Sequence, residues 1–408
     1  MPLLARAPRP VALDLTPIEV AARCRHLPGL VFFDSARESG VGADLSIVAA
    51  CPAEIIRDEW SQLAAALRAR ATTAPADDGL PHGFAGGCVD YEGAFCFGLY
   101  EDALIFRHAD QSWHELGELR SQLREPAPGE SVAAPDFQPR LSRERFCAMV
   151  ARAQEYIAAG DIYQVNLAHR FDAAWRGDPF AFYEALRHYS PAPYAAFLDL
   201  GGRCVLSSSP ESFLKMSGRA VRTRPIKGTR PRRADATADE KSAYDLLTSP
   251  KEIAELIMIT DLERNDLGQV CEFGSVSVPE LLKLERHEQV FHLVSTVDGR
   301  MRPEVDHLAA LRACFPGGSI TGAPKRRARQ IIAELEPEPR GLCTGAIGWL
   351  GFNGESQFNI AIRTVVIEDG RAHFHVGAGI VADSTPEREW QETLDKAAGI
   401  LLAAERMK

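Results

Sequence analysis

Residues 222–230 read Arg-Thr-Arg-Pro-Ile-Lys-Gly-Thr-Arg, with Lys227 between an isoleucine and a glycine. The residues that lead into this segment have the β-branched character of a short strand. Because proline cannot donate to a sheet ladder, we expect that strand to end at Pro225. Gly228 permits positive φ or the close approach of a ligand to the backbone. The pattern therefore predicts that Lys227 is fixed at a turn.

Three arginines, at positions 222, 224 and 230, surround this lysine. Burial and nearby cations favour the neutral form of a lysine amine, and that form is a nucleophile. A basic surface loop would have the same sequence. This segment alone leaves both interpretations open.

Composition excludes several classes of protein. The 408 residues carry a formal net charge of −10, and the arginines are scattered, which argues against a nucleic-acid partner. The nine cysteines form no C-x-x-C pair, as is typical of a reduced, cytoplasmic setting. No apolar run approaches the roughly 18 residues that span a membrane. The prolines near the N-terminus do not suit a secretory signal.

The chain divides into three parts. Residues 1–123 are expected to form an N-terminal region of short strands and helices packed on the core, including strands at 30–35 and 45–50. Residues 124–140 contain four prolines and are the best linker candidate. Residues 141–408 mix strands and helices without a regular βαβ rhythm. We therefore predict an α+β fold with large antiparallel sheets.

One predicted helix begins at Ser249, as an N-cap, followed by Pro250 in the first turn. Apolar residues surround its circumference, so we expect the helix to be buried. Glu252 completes a capping box and needs no other role. Glu255 lies one turn further on the same face, and a carboxylate in such a helix needs a cation or several donors.

A second helix begins after Ser384-Thr385-Pro386, and its Glu389, Glu392 and Lys396 share one stripe. Taken alone, this stripe is typical of a solvated face with a Glu392–Lys396 pair. Two helices that each present Glu-x-x-Glu allow another interpretation. Their carboxylates can meet around one hard divalent cation, for which we expect Mg²⁺.

Between these helices the sequence predicts a hairpin, with strands at 358–368 and 371–381 joined by Asp369-Gly370. This register places Arg363 opposite Val376, beside Gly377-Ala378-Gly379. A guanidinium group next to bare backbone N–H groups suits a carboxylate ligand. The glycines can equally well serve only to relieve crowding between strands.

Two further glycine-rich segments resemble catalytic motifs without matching them. Residues 317–325 lack the Gly-Lys-Ser/Thr ending of a phosphate loop, although Gly318 and Ser319 can offer donors to an anion. Residues 341–345 have the spacing of a nucleophile elbow, but the sequence that follows is strand-like. Cys343 is therefore not expected to be a nucleophile that releases ammonia from glutamine.

Five motifs in this order, over about residues 142–402, resemble the chorismate-utilising enzymes, which include anthranilate, aminodeoxychorismate, isochorismate and salicylate synthases. The motif Pro-Ile-x-Gly-Thr has lysine at its variable position, and in this it resembles aminodeoxychorismate synthase component I. Anthranilate synthases have a similar motif with alanine at that position. The motifs are Pro225–Thr229, Asp261–Gly268, Gly322–Lys325, Gly377–Gly379 and Glu389–Lys396.

The resemblance implies two large antiparallel sheets in layers, helices outside, and a site in the cleft between the sheets. It implies Mg-dependent amination of chorismate with ammonia to 4-amino-4-deoxychorismate, in 4-aminobenzoate and folate biosynthesis. The ammonia would come from a glutamine amidotransferase subunit. The alternatives are an anthranilate or isochorismate synthase-type enzyme, or a non-catalytic chorismate-binding subunit. Whether tryptophan binds in the N-terminal region, as in some relatives, stays open.

The resemblance also implies roles for individual residues. Glu211 would be the general acid, Lys227 the nucleophile and His292 an active-site histidine. Glu255 and Glu392 would bind Mg²⁺, while Glu252 and Glu389 would place waters around it. Cys343 stands where relatives usually have a tyrosine that helps to bind the enolpyruvyl group, and a cysteine is a weaker donor that leaves a gap there. The substrate-binding residues would be Gly228, Thr229, Ser319, Cys343, Arg363, Gly377, Ala378, Gly379 and Lys396.

Overall fold

The computed structural model describes residues 7–36, 44–72, 78–126, 134–287 and 290–407. Within these residues the chain forms strands and helices in the following order. The strands are β1 (Arg9–Val11), β2 (Val31–Asp34), β3 (Leu45–Ala49), β4 (Glu54–Arg57), β5 (Phe84–Val89), β6 (Phe95–Tyr100), β7 (Ala103–Arg107), β8 (Ser112–Leu116), β9 (Gln138–Pro139), β10 (Gln164–Ala174), β11 (Tyr194–Asp199), β12 (Arg203–Ser209), β13 (Ser212–Ser217), β14 (Ala220–Arg224), β15 (Ile226–Pro231), β16 (Ser277–Arg286), β17 (Val290–Arg300), β18 (Gly322–Ala323), β19 (Ala346–Gly351), β20 (Glu355–Ile360), β21 (Thr364–Glu368) and β22 (Arg371–Ile380). The helices are α1 (Pro17–Arg23), α2 (Trp60–Arg70), α3 (Arg143–Ala158), α4 (Pro179–Tyr189), α5 (Ala236–Leu247), α6 (Pro250–Gly268), α7 (His307–Cys314), α8 (Lys325–Leu335) and α9 (Pro386–Glu405).

The strands form two antiparallel sheets, which confirms the predicted α+β fold class. The first sheet has 12 strands, in the order β1-β8-β7-β3-β2-β11-β12-β21-β22-β10-β18, with β9 beside β10. The second has 10 strands, in the order β15-β17-β14-β13-β20-β19-β5-β6-β4, with β16 beside β17. No helix among the described residues is long and apolar enough to cross a bilayer.

Apolar side chains fill the space between the sheets. Val31 and Ile105 of the first sheet share one buried cluster with Phe84 and Ile347 of the second. A further cluster lies under the helices and includes one face of α3, where Phe146 is fully buried. The layered arrangement thus follows from the need of each sheet to bury an apolar face.

Strands from the N-terminal region belong to both sheets. In the first sheet Ala195 of β11 pairs with Asp34 of β2, and in the second Gly348 of β19 pairs with Gly87 of β5. The predicted division at residues 124–140 stays a prediction, and part of that segment, residues 127–133, lies outside the described residues. Gln138 and Pro139 form β9 at the side of β10.

The segment that carries Lys227 differs from its predicted form. As predicted, β14 ends just before Pro225, but a second strand, β15, begins directly after it at Ile226. Both strands pair with β17, and the Pro225 carbonyl accepts the Ser295 N–H. The register shifts between Lys227 and Thr229, and Gly228 has φ +75°. The predicted turn is therefore a bulge within β15, and its positive φ explains why glycine is needed there.

The strand predicted at 358–368 is in fact two strands in different sheets. β20 belongs to the second sheet and β21 to the first, and the chain crosses between them at residues 361–363. Arg363 has φ +49° at this crossing. The Asp369-Gly370 turn is confirmed, because Glu368 pairs with Arg371 across it.

Helix α6 is less buried than its composition suggested. Ile257 is 46% exposed, whereas Leu256, Ile259 and Leu267 are fully buried, so the expectation of burial on every side is wrong. Ser249 precedes the helix as predicted, but its hydroxyl donates to the Glu252 carboxylate instead of accepting a backbone N–H. A polar face of α6 therefore remains that can contact other elements.

Candidate active site

A cavity of about 600 Å³ lies where β10, β15, β17 and β22 meet helices α6 and α9. Both sheets contribute to its wall, so it occupies the cleft that the resemblance implied. Most of the predicted site residues line it. They are Glu211, Lys227, Gly228, Thr229, Glu252, Glu255, His292, Ser319, Cys343, Arg363, Gly377, Gly379, Glu392 and Lys396.

Two predicted residues do not line this cavity. The Ala378 side chain is fully buried in the apolar cluster beneath β22, because successive residues of a strand point to opposite faces. Glu389 is buried behind the wall, where its Oε1 accepts from the Ser384 hydroxyl at 2.7 Å and from the Lys251 amine at 3.3 Å.

The Lys227 amine points into the cavity and donates to the Ser319 carbonyl at 3.2 Å. Its positive charge acts on the carboxyl groups of Glu211, Glu255 and Glu392. The predicted nucleophile is therefore close to both the predicted acid and the predicted metal ligands. The bulge at Gly228 sets this direction of the side chain.

Glu211 lies between β12 and β13 and is buried. Burial raises the pKa of its carboxyl group, while a hydrogen bond with the Ser319 side chain and the charges of Lys227 and Lys396 act in the opposite direction. A raised pKa keeps more of the group protonated near neutral pH, which is what a general acid requires.

His292 is buried on β17 beside the bulge. Its Nδ1 lies 3.0 Å from the Thr229 hydroxyl, and its ring contacts that of His287 with centroids 5.1 Å apart. Thr229 pairs with His292 across the strands, so the bulge that places Lys227 also brings these two side chains to the cavity.

The carboxylates of α6 and α9 lie within electrostatic reach of one another. Burial raises the pKa of Glu255; Lys227 and Lys251 act against this, and Glu392 and Glu389 add to it. At Glu392 burial also acts to raise the pKa, but Lys396, at 2.8 Å, together with Lys251 and Lys227, outweighs burial, so its pKa is lowered. The two helices therefore converge on one site.

The donor set suits a hard divalent cation that completes its coordination with water or substrate. Among the described residues, Glu255 Oε1 and Glu389 Oε2 are buried and accept no hydrogen bond. No cluster of three or more His, Cys, Asp or Glu side chains in this part of the chain is arranged to hold an ion. Mg²⁺ commonly takes only one or two carboxylates and fills its octahedron with other oxygens. Glu252 fits this less well, because it is paired with Arg230 at 2.6 Å.

The glycines of β22 bring bare backbone to the cavity, and packing requires them as well. A Cβ atom at Gly377 would lie 2.7 Å from the Leu167 carbonyl, and one at Gly379 would lie 2.5 Å from Gln164 Nε2. The Lys396 amine donates to the Gly377 carbonyl at 2.8 Å. Gly377 and Gly379 thus both relieve crowding between the strands and expose backbone to the cavity.

Cys343 follows Gly341 in a turn that leads into β19, as the strand-like sequence predicted. Burial raises the pKa of its thiol to about 12, although the Arg340 charge acts in the opposite direction. The thiol is therefore protonated at neutral pH, and only thiolates are good nucleophiles.

Sequence reasoning missed several residues of the cavity wall, including Lys251 and Thr344. Lys251 lies 3.9 Å from Glu255 at i,i+4, a spacing that could have revealed it. Thr344 is held by Arg340, which is fully buried and also donates to Glu336 and to backbone carbonyls. No local pattern marks such a buried arginine. The other polar residues missed are Asn166, His375, Arg388, Gln391 and Asp395.

Residues 34–402 match the protein family described as chorismate binding enzyme. Anthranilate synthase component 1 of Methanothermobacter thermautotrophicus is 43% identical over 318 residues, which are 76% of this chain and 68% of that protein. Aminodeoxychorismate synthase component 1 of Bacillus subtilis is 42% identical over 297 residues, 72% of this chain and 62% of that protein. The chain thus spans about two thirds of the length of these curated relatives.

The fold has solved counterparts. The crystal structure of anthranilate synthase component I from Streptococcus pneumoniae superposes with a TM-score of 0.78 at 32% identity, and the match covers 89% of this chain and 93% of that chain. The family match covers every cavity residue named above and all strands of both sheets except β1 and most of β2. The protein therefore belongs to the chorismate-binding enzyme family.

Proposed function

We propose that the protein aminates chorismate at ring carbon 4 with ammonia and forms 4-amino-4-deoxychorismate. The observation that carries this proposal is the position of the Lys227 amine, in one cavity with Glu211 and with carboxylates from two helices. The Bacillus subtilis relative, named aminodeoxychorismate synthase component 1, supports it.

In the proposed first step, Lys227 Nζ forms a bond to ring carbon 2 while the ring double bonds shift and the hydroxyl at carbon 4 leaves. Hydroxide is a poor leaving group, so Glu211 donates a proton and the group departs as water. The Glu211 carboxylate then takes the proton that Lys227 Nζ loses. The Ser319 carbonyl, 3.2 Å from this nitrogen, orients the amine.

In the proposed second step, ammonia forms a bond to carbon 4 and the bond between carbon 2 and Lys227 Nζ breaks. Glu211 returns its proton to the departing amine and takes up a proton from the ammonium group that forms at carbon 4. Chorismate and ammonia thus give 4-amino-4-deoxychorismate and water, and both residues are restored. A covalent intermediate of this kind divides one difficult displacement into two easier steps.

We propose Glu255 and Glu392 as the residues that hold Mg²⁺, with Glu389 behind them, because their carboxylates converge and Glu255 Oε1 and Glu389 Oε2 accept no hydrogen bond within the described structure. A bound Mg²⁺ would neutralise the ring carboxylate and orient the ring. We propose that Arg363, which also lines the cavity, binds the enolpyruvyl carboxylate. A separate glutamine amidotransferase subunit would supply the ammonia.

The test is turnover of the purified chain with chorismate, Mg²⁺ and an ammonium salt, comparing wild type with Lys227→Ala. We expect at least about a 100-fold loss of amination, equivalent to about 2.7 kcal/mol at 1.36 kcal/mol for each tenfold change. Lys241→Ala, at an exposed lysine of α5, is the matched control and should leave the rate unchanged. Undiminished amination by Lys227→Ala would end the covalent role.

Anthranilate formation is the second candidate, because most of the similar curated relatives carry the name anthranilate synthase component 1. That reaction expels the enolpyruvyl group as pyruvate, whereas 4-amino-4-deoxychorismate retains it. Pyruvate release, followed through lactate dehydrogenase, and product mass therefore separate the two reactions. Failure of the chain to consume chorismate under these conditions would favour a non-catalytic binding subunit.

A further inference from the structure

A loop of three residues, Gly317-Gly318-Ser319, contacts both of the proposed catalytic groups. The Ser319 carbonyl accepts from the Lys227 amine at 3.2 Å, and the Ser319 side chain makes a hydrogen bond with the Glu211 carboxyl group. The position of this loop therefore sets the geometry of two groups that must act on one substrate ring.

Glu263 fixes this loop from behind. It is only 2% exposed, and its Oε1 accepts the Gly318 N–H at 3.0 Å. Its Oε2 lies 3.5 Å from the hydroxyl of Thr223, on the strand that runs toward Lys227. One carboxyl group thus joins the loop that carries Ser319 to the strand segment that carries the amine.

Packing leaves the loop little freedom in this position. A Cβ atom at Gly318 would lie 2.7 Å from Leu262 Cδ2 and 3.0 Å from Glu263 Oε1. The loop backbone therefore rests directly on α6. A change in the Glu263 side chain would be transmitted to the loop, because no gap separates them.

The charged and titratable groups around Glu263 come from three helices and one loop. Asp266 lies on α6 itself, Lys325 on α8, Glu211 before β13, and Cys314 on α7. Burial raises the pKa of Glu263 to about 7, Asp266 and Glu211 add to this, and Lys325, which is paired with Asp266, acts against it. Burial therefore favours the protonated form of Glu263.

We propose that Glu263 is a positioning residue for the amination: by holding Gly318 against Thr223 it keeps the Ser319 carbonyl at the Lys227 amine and the Ser319 side chain at Glu211. This inference rests on the proposed function. Glu263 does not itself line the cavity, so it acts through Ser319. A misplacement of about 1 Å at a catalytic group can cost on the order of 100-fold in rate.

The first experiment compares Glu263→Ala, Glu263→Gln and the control Asp261→Asn, at an exposed carboxylate of the same helix. The amide of Glu263→Gln can still accept the Gly318 N–H, whereas Glu263→Ala leaves that N–H without an acceptor. We expect kcat of Glu263→Ala to fall about 10- to 100-fold, with KM for chorismate changed less than about threefold. The kcat of Glu263→Gln should stay within about threefold of the wild-type value at pH 6. The kcat of Asp261→Asn should do so at every pH.

The pH profile adds a signature that a merely structural residue would not give. At a fixed concentration of free ammonia, kcat of wild type should show a transition near pH 7 that is absent from Glu263→Gln. If both Glu263 variants keep wild-type kcat per folded molecule and differ only in melting temperature, the proposal is wrong. If Glu263→Ala does not fold, Glu263→Met decides the question, because methionine fills a similar volume without offering an acceptor to the Gly318 N–H. Wild-type kcat in folded Glu263→Met would overturn the proposal.

A second readout does not depend on turnover. Reductive methylation with formaldehyde, followed by peptide mass analysis, reports the reactivity of Lys227, with Lys241 as an internal reference. Glu263→Ala should change the ratio of the two labelling rates at least about threefold, whereas Asp261→Asn should not. An unchanged ratio would overturn the positioning role. A wild type that labels as expected but forms no 4-amino-4-deoxychorismate would instead refute the proposed function.

Discussion

The Glu211 carboxyl group is buried beside two lysine amines, and these two influences act on its proton in opposite directions. Burial disfavours the charged carboxylate, whereas Lys227 and Lys396 favour it. The net effect is a raised pKa, so burial dominates. The sequence predicted this role from the family motif, but it could not predict the balance, because Lys396 lies on a distant helix.

A pH dependence of activity follows from this raised pKa. Glu211 acts as an acid in its protonated form, so at fixed free ammonia the value of kcat/KM should fall as the pH rises through its folded pKa. Glu211→Gln should remove this alkaline limb and lower kcat by about 10² to 10⁴-fold. Steady-state rates between pH 5 and 9 measure both effects, and an alkaline limb that persists in Glu211→Gln would contradict the assignment.

The control for this prediction is thermal stability. Because the folded pKa lies above the unfolded value, the carboxyl group stabilises the fold most below its unfolded pKa, and this contribution is lost as the pH rises through its folded pKa. Glu211→Gln should therefore gain melting temperature relative to wild type on going from pH 5 to pH 8. If Glu211→Gln is less active than wild type at pH 8, unfolding of the variant would then not be the cause.

Helices α6 and α9 illustrate what helical periodicity predicts. Spacing placed Glu252 with Glu255 and Glu389 with Glu392 on single faces, and the structure brings both faces to one site. Spacing could not show that Glu252 would be paired with Arg230, since that arginine lies on β15. It also could not identify Glu263, because a carboxylate inside a polar helix end looks solvated until the loop that covers it is known.

The strand elements were predicted less completely, for a physical reason. A strand buried on both faces gives an apolar run without alternation, so the pattern cannot reveal where the chain leaves one sheet for the other. β21 is such a strand, and the end of β20 leads into it without a break in the pattern, so residues 358–368 have the pattern of one strand although the chain crosses between sheets at 361–363. The Asp369-Gly370 turn, by contrast, was recognisable because its conformation demands particular residues.

Substitution of Glu255 tests the metal proposal at the scale of the two helices. Glu255→Gln removes one negative charge from the convergence point, so the Mg²⁺ concentration that half-saturates the protein should rise about 10-fold or more. The measurement is the Mg²⁺-dependent rise in melting temperature with chorismate present and ammonia absent, because an ion that binds only the folded state stabilises it. Glu387→Gln, at an exposed carboxylate of α9, is the control. Equal Mg²⁺ dependence in all three proteins would contradict this site.

At the scale of the whole molecule, the two sheets are assembled from both ends of the chain. β2 lies between β3 and β11 in the first sheet, and β5 lies between β6 and β19 in the second. The cavity is built largely from residues after 141, yet the sheets that carry it contain strands from before residue 123. Composition suggested a linker, but no local pattern reports which distant strand will be the neighbour of another.

Cleavage within the predicted linker should therefore leave one cooperative unit. A protease site inserted between Pro126 and Ala134 allows the folded chain to be cut, and we expect the two fragments to remain together as one species in size-exclusion chromatography with one thermal transition. The reason is that separation would expose buried pairs such as Phe32 against Phe197 and Ile347 against Cys88, whose apolar surface each contributes about 25 cal/mol per Å². The uncut protein with the same insertion is the control. Two separated fragments, or two distinct transitions in the cut protein, would show instead that residues 1–123 fold as an independent domain.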